Sequence, residues 1–162
     1  MHQVIYALVE ASAEEDALVT GKTVFGRLIG AGPHADAVFD YYVTFDEVRE
    51  GVGKDRWGDL PVAAPVASAE GCELLERGWQ ATESEFERHL DRVRDVLDEF
   101  SDEEIMRNED LACHAFHEVG AYEGPSIYLY DQYGNGIRDP DQLDRVLDES
   151  DDRWIVPADV HY

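Results

Sequence analysis

Lys54 and Arg56 stand two residues apart in a glycine-punctuated stretch, Gly51-Val52-Gly53-Lys54-Asp55-Arg56-Trp57-Gly58. Two cations beside an indole ring, on a backbone whose glycines let N–H groups approach closely, suit an anionic group. The stretch is not a Walker-type phosphate loop, because Asp55 follows Lys54 where a Ser or Thr is required. A plainer reading pairs Lys54 and Arg56 with neighbouring carboxylates and uses Trp57 to anchor the loop. Lys54, Asp55, Arg56 and Trp57 are therefore candidate contacts for a ligand or a partner.

A second cluster is Cys113-His114-Ala115-Phe116-His117-Glu118. Cys113 and His117 are four apart, on one face of a helix, as a two-ligand metal clamp requires. His89 falls at a matching height if the preceding helix folds back as a hairpin, which would make a three-ligand zinc site. The alternative puts Cys113 in the core and the histidines in ordinary hydrogen bonds. There is no HExxH motif, and no cofactor is implied elsewhere.

Strand alternation supplies a third feature. Tyr6, Asp40, Tyr42, Thr44, Tyr128 and Tyr130 take alternate positions that can share one sheet face. Phe39, Tyr41, Val43, Phe45, Ile127 and Leu129 would take the other. A tyrosine-rich face can line a pocket with Asp40 as its acid or base, or it can form a wet contact with helices. No Gly-x-Ser-x-Gly motif is present, and Asp139–Asp152 lacks the glycine and terminal Glu of a calcium loop.

The elements that must position these residues follow from periodicity. Residues 3–9 and 37–45 read as strands around a helix expected to be capped by Ser12 with Glu15 and stopped by Gly30–Pro33. Residues 126–131 and 153–160 read as strands around a helix capped by Asp139, with Pro140 at its first position. Between the two units, Leu75, Trp79, Thr82, Phe86, Leu90, Val93, Leu97 and Phe100 follow steps of three and four. Gly71 and Gly78 are the weak points of that long helix. Ser101 with Glu104 caps a following helix that ends at Gly120, so the pair should form a hairpin. The expected fold is α+β: a ferredoxin-like βαβ…βαβ, four-stranded, largely antiparallel sheet with a helical-hairpin insertion. A single domain over 1–162 would comprise sheet units 1–46 and 122–162, a loop 47–67 and the insertion 68–120.

Charge bounds the setting. The 162 residues carry 37 Asp plus Glu against 13 Lys plus Arg, a net charge of −24. At molar salt the Debye length shrinks to about 3 Å, which screens this self-repulsion. Such a surface, poor in lysine, fits a cytoplasm of multimolar salt of the haloarchaeal kind. The same charge disfavours nucleic acid and anionic membranes as direct partners. No apolar run reaches the roughly 18 residues of a membrane span, and Met1–Tyr6 does not read as a signal peptide. Two distant cysteines fit a reducing cytosol. The function expected is a non-enzymatic binding or regulatory module for a protein partner or small anionic ligand, with a homodimer through the insertion as an option. The alternatives are a small-molecule enzyme on the tyrosine face and an acidic mimic of nucleic acid.

Overall fold

The computed structural model describes residues 1–30, 37–46, 53–107, 110–120 and 124–162. It is a mixed α+β fold with a five-stranded sheet. The strands are β1 (His2–Glu10), β2 (Tyr41–Thr44), β3 (Ala64–Pro65), β4 (Leu129–Tyr130) and β5 (Arg153–His161). The helices are α1 (Glu14–Leu28), α2 (Lys54–Trp57), α3 (Ala69–Glu99), α4 (Asp102–Met106), α5 (Asp110–Gly120) and α6 (Pro140–Asp148).

The strand order is β2-β5-β1-β4, with β3 also on β5. β5 runs antiparallel to β1 along its whole length, from His2 opposite His161 to Glu10 opposite Arg153. It is also antiparallel to β2 and β3. β4 runs parallel to β1, with Tyr6 opposite Leu129. The sheet therefore departs from the expected four-stranded, ferredoxin-like arrangement: it has a fifth short strand, and it is mixed. That extra strand comes from the stretch expected to be a loop. The parallel pair arises where the chain returns from the helical insertion to the free edge of β1.

Two apolar clusters sandwich the sheet. Ile5, Ala7, Val9, Val156, Ala158 and Val160 face α1, where Ala17, Val24, Phe25 and Leu28 are buried. Val4, Tyr6, Leu8, Leu129 and Ile155 face α3 and α6, which contribute Leu74 and Val146. The alternation of β1 and β5 between these clusters is the period of two that a sheet buried on both sides demands.

Local signals hold in part. Ser68 caps α3 through Gly71 N at 3.0 Å, Ser101 and Glu104 form the expected capping box, and Asp139 caps α6 through Gln142 N at 2.8 Å. α1 instead begins after Ala13 with no side-chain cap, and the Ser12 hydroxyl, one position earlier, donates to the Asp16 carboxylate at 2.9 Å. α1 ends at Leu28, and Gly30 takes the left-handed conformation (φ 77°); Ala31–Pro33 lie outside the described residues. Gly78 is a close-approach residue rather than a weak point. A Cβ there would meet Tyr6 Cδ2 and Leu129 Cδ2 at 2.8 Å. At Gly71 a Cβ would sit 2.0 Å from the Pro65 carbonyl oxygen. These glycines let α3 lie directly on the sheet.

Beyond Thr82, α3 extends past the sheet and meets α5, with Val93, Val96, Phe100, Ile105 and Ala115 forming a small separate core. The expected return of the chain along α3 is thus present, built from α4 and α5 in place of one helix. Among the described residues, no helix is long and apolar enough to cross a membrane.

Candidate functional site

The α3-facing side of the sheet changes character toward the start of β1. Along β5 this side carries Ile155, Pro157, Asp159 and His161; along β1 it carries Leu8, Tyr6, Val4 and His2. Register sets His2, His161 and Tyr41 in one row across three strands. The neighbouring row is Val4, Asp159 and Val43. Side chains in a row, and on the diagonal between rows, are within reach of one another.

Asp159 is fully buried, at 0% exposure. A buried carboxylate is costly unless its oxygens are engaged. Oδ1 lies 3.0 Å from His2 Nδ1. Oδ2 accepts a hydrogen bond from Gly53 N at 3.1 Å and faces Arg56 Nε at 3.9 Å. On the far side of the imidazole, His2 Nε2 lies 3.2 Å from the Tyr41 hydroxyl. The Tyr41 ring stacks on His161, with centroids 5.4 Å apart and planes within 7°. His161 Nδ1 pairs with Asp40 Oδ2 at 2.8 Å, and its ring meets His2 edge-on at 5.0 Å.

Beside this network lies a cavity of about 380 Å³, lined by His2, Tyr6, Trp57, Leu60, Arg77 and Tyr128 among others. Burial pushes the Tyr6 phenol above its ordinary value; Arg77 opposes this and Glu73 adds to it. Burial also raises the Tyr128 phenol, helped by Glu85 and Tyr162 and opposed by Arg88. Both rings therefore keep their protons and remain hydrogen-bond donors at neutral pH. Arg77 is held at 3.0 Å by Glu73, one turn earlier on α3.

The residues singled out from sequence are sorted by this geometry. Trp57 lines the cavity, and Arg56 turns toward Asp159. Lys54 reaches Asp59 at 3.7 Å on the exposed side, and Asp55 is exposed. Gly51 and Val52, like residues 47–50, lie outside the described residues. The tyrosine face divides. Tyr128 joins Tyr6 at the cavity, whereas Tyr42 packs on Phe25 at 5.5 Å and Tyr130 lies edge-on to Phe39, both on the α1 side. Alternation fails here because β4 is only two residues long and is preceded by a 3₁₀ turn at Gly124–Ser126. Asp40 is exposed, precedes β2 and is not among the described residues lining that cavity.

The structure does not gather His89, Cys113 and His117. Among the described residues, no group of three His, Cys, Asp or Glu side chains is placed to hold a metal ion. His89 Nε2 is 3.0 Å from Ser126 Oγ, on the sheet side of α3. Among the described side chains of α5, Ala115 is buried. Cys113 and His117 lie about 200° around the helix from it, away from α3.

The sequence profile described as Domain of unknown function (DUF7995) matches residues 1–162. The chain belongs to the DUF7995 family. No curated protein and no solved structure matches it. The DUF7995 site thus rests on its own geometry, and five of its residues were missed from sequence: His2, Tyr41, Arg77, Asp159 and His161. The signal was an aspartate inside the apolar run Val156-Pro157-Ala158-Asp159-Val160. A charge in a strand of that kind is buried and must be paired.

Proposed function

We propose that this chain binds a small anionic ligand with an aromatic or apolar body in the cavity between β1, α3 and the Lys54–Leu60 segment. One observation carries the reading. The aromatic walls Tyr6, Trp57 and Tyr128 converge with the cation Arg77 and with His2 on one concave space of about 380 Å³. Apolar walls with a few placed polar groups are the usual make-up of a small-molecule site. In a chain of net charge −24, a carboxylate or phosphate needs such a local cation to approach at all. We place this activity in a cytoplasm of multimolar salt, on the strength of the acidic composition.

The test is titration of phenylacetate into the protein in multimolar KCl, followed by saturation-transfer NMR. Binding is expected for wild type and weaker by about tenfold in both Trp57→Ala and Arg77→Met, a loss near 1.4 kcal/mol. Equal affinity in all three proteins would contradict the reading.

A second reading has its own observation. Phe86 and Leu97 are 40% and 55% exposed on α3, and Phe116 is exposed on α5. Phe86 and Leu97 are eleven residues apart and so share a helix face. This favours pairing of the helical insertion with a second copy. Sedimentation of wild type against Phe86→Glu tests it; a wild type that sediments as a monomer would remove it.

A further inference from the structure

We infer that His2 is a catalytic base, acting on the carbon next to the carbonyl of a small aromatic 2-oxo acid held in this cavity. The inference rests on the ligand reading above and adds a reaction to it.

The geometry of the imidazole carries the argument. The bond from His2 Nδ1 to the Asp159 carboxylate, at 3.0 Å, fixes the proton on Nδ1. In the neutral ring Nε2 then presents a lone pair. In this structure that lone pair takes the Tyr41 hydroxyl at 3.2 Å, and the same ring lines the cavity. A base in hydrogen-bond reach of a proton donor, itself oriented by a buried third group, is the arrangement of general-base sites. Asp159 is a positioning residue. It is fully buried and is steadied on its other oxygen by Gly53 N. Tyr41 is fixed by its stack on His161 and is 38% exposed, which links Nε2 to solvent.

The lining selects the chemistry. Among its described residues there is no Ser, Thr or Cys to form a covalent intermediate. A single base suffices for proton transfer within the substrate, which needs no co-reactant. The substrate displaces the Tyr41 hydroxyl from Nε2. Nε2 removes a proton from the carbon adjacent to the carbonyl, and the C–H electron pair becomes the enolate double bond. The imidazolium then returns that proton to the enolate oxygen, giving the enol. Protons and electrons balance within the one molecule. Tyr6 and Tyr128, both kept protonated by burial, can donate to the enolate oxygen, and Arg77 holds the carboxylate.

The probe is phenylpyruvate in multimolar KCl. Deuterium entry at its benzylic carbon in D₂O is followed by NMR, with binding measured in parallel by saturation transfer. Wild type should accelerate exchange over buffer, and His2→Gln should lose that acceleration by about a hundredfold or more while still binding the probe. Asp159→Asn should bind the probe yet shift the pH profile of exchange, because it changes what holds the ring. Among the described residues, the charged and titratable groups facing that ring are Asp159, Tyr41 and His161, with Tyr6, Arg77 and Tyr128 around the same cavity and Arg56, Asp40 and the Met1 amine one contact further out. Should Asp159→Asn fail to fold, His2→Gln still decides the matter. Bound phenylpyruvate with no acceleration, or equal acceleration by His2→Gln, would overturn the catalytic inference and leave the binding reading standing. Failure of phenylpyruvate to bind would overturn both.

Discussion

The two faces of the sheet are built from the same strands, yet one is closed and the other is chemically open. Under α1, Val156 lies so close that a Cβ on Gly21 would meet its Cγ1 at 2.8 Å, and Phe25 and Val24 are fully buried. Along β5 this face carries Val156, Ala158 and Val160, and its polar side chains Gln3 and Thr44 are buried opposite Val160 and Ala158. Under α3 the helix crosses the sheet at Gly78, directly over Tyr6 and Leu129, and then leaves it. Beyond that crossing the strands carry Asp159, His2, His161 and Tyr41. The difference teaches where polar groups are tolerated. A helix seals the sheet for the length over which its glycines allow contact, and the uncovered remainder is filled by a hydrogen-bonded network and a cavity.

Mutations can break this comparison from either side. The largest effect is expected on the closed face: Phe25→Ala should cost about 3–5 kcal/mol, read as a shift in denaturant midpoint at constant salt. On the open face, Asp159→Ala removes the acceptor of His2 and Gly53 and the carboxylate that Arg56 faces. A loss of about 3 kcal/mol is expected by the same assay. A loss below about 0.5 kcal/mol would mean the network is not structurally engaged. The salt-adapted reading adds that dilution from multimolar KCl to low salt unfolds the protein, seen by circular dichroism, as screening is lost. An acidic mimic of nucleic acid would instead stay folded.

Two smaller effects sharpen the account. Tyr6 and Tyr128 have raised phenol values, so their neutral forms are favoured in the fold. The stability this gives is present below pH 10 and is lost as pH rises through the raised values. Ultraviolet titration should show Tyr6 and Tyr128 ionising late, then unfolding. The smallest effect concerns Lys22, 2.8 Å from Asp46. Burial raises the Asp46 carboxyl, but the Lys22 and Thr44 bonds outweigh it and bring it below the usual range. A lowered acid contributes stability above its unfolded value, and that contribution vanishes as pH falls through the folded one. Lys22→Met should therefore cost a few tenths of a kcal/mol at neutral pH and nothing in acid, less still at high salt.

Much of the frame was legible in the sequence because it rests on local chemistry. The caps at Ser68, Ser101 and Asp139 depend on side chains three residues from the groups they satisfy. The apolar, β-branched run of β1 announced a buried strand. What was not legible depends on register between distant segments. Nothing near Asp159 in sequence says that His2 lies diagonally across from it, 157 residues away. Tyr41 was assigned to an apolar face because it alternates with Phe39, but the chain bends before β2 and Phe39 faces α1 instead. The Trp57 loop was recognised as a candidate by its residue types, while the cavity it closes required the position of α3. The Cys113/His117 spacing was real, but only the packing of Ala115 decides which way that face turns.

The most direct test of the open face is a ¹H–¹⁵N correlation spectrum of the protein in multimolar KCl, recorded while phenylacetate is added. The account predicts shifts concentrated at His2, Tyr6, Trp57, Arg77 and Tyr128, with Val24, Phe25 and Val156 unmoved. Shifts around Phe86 on α3 instead, or none at saturating ligand, would contradict it.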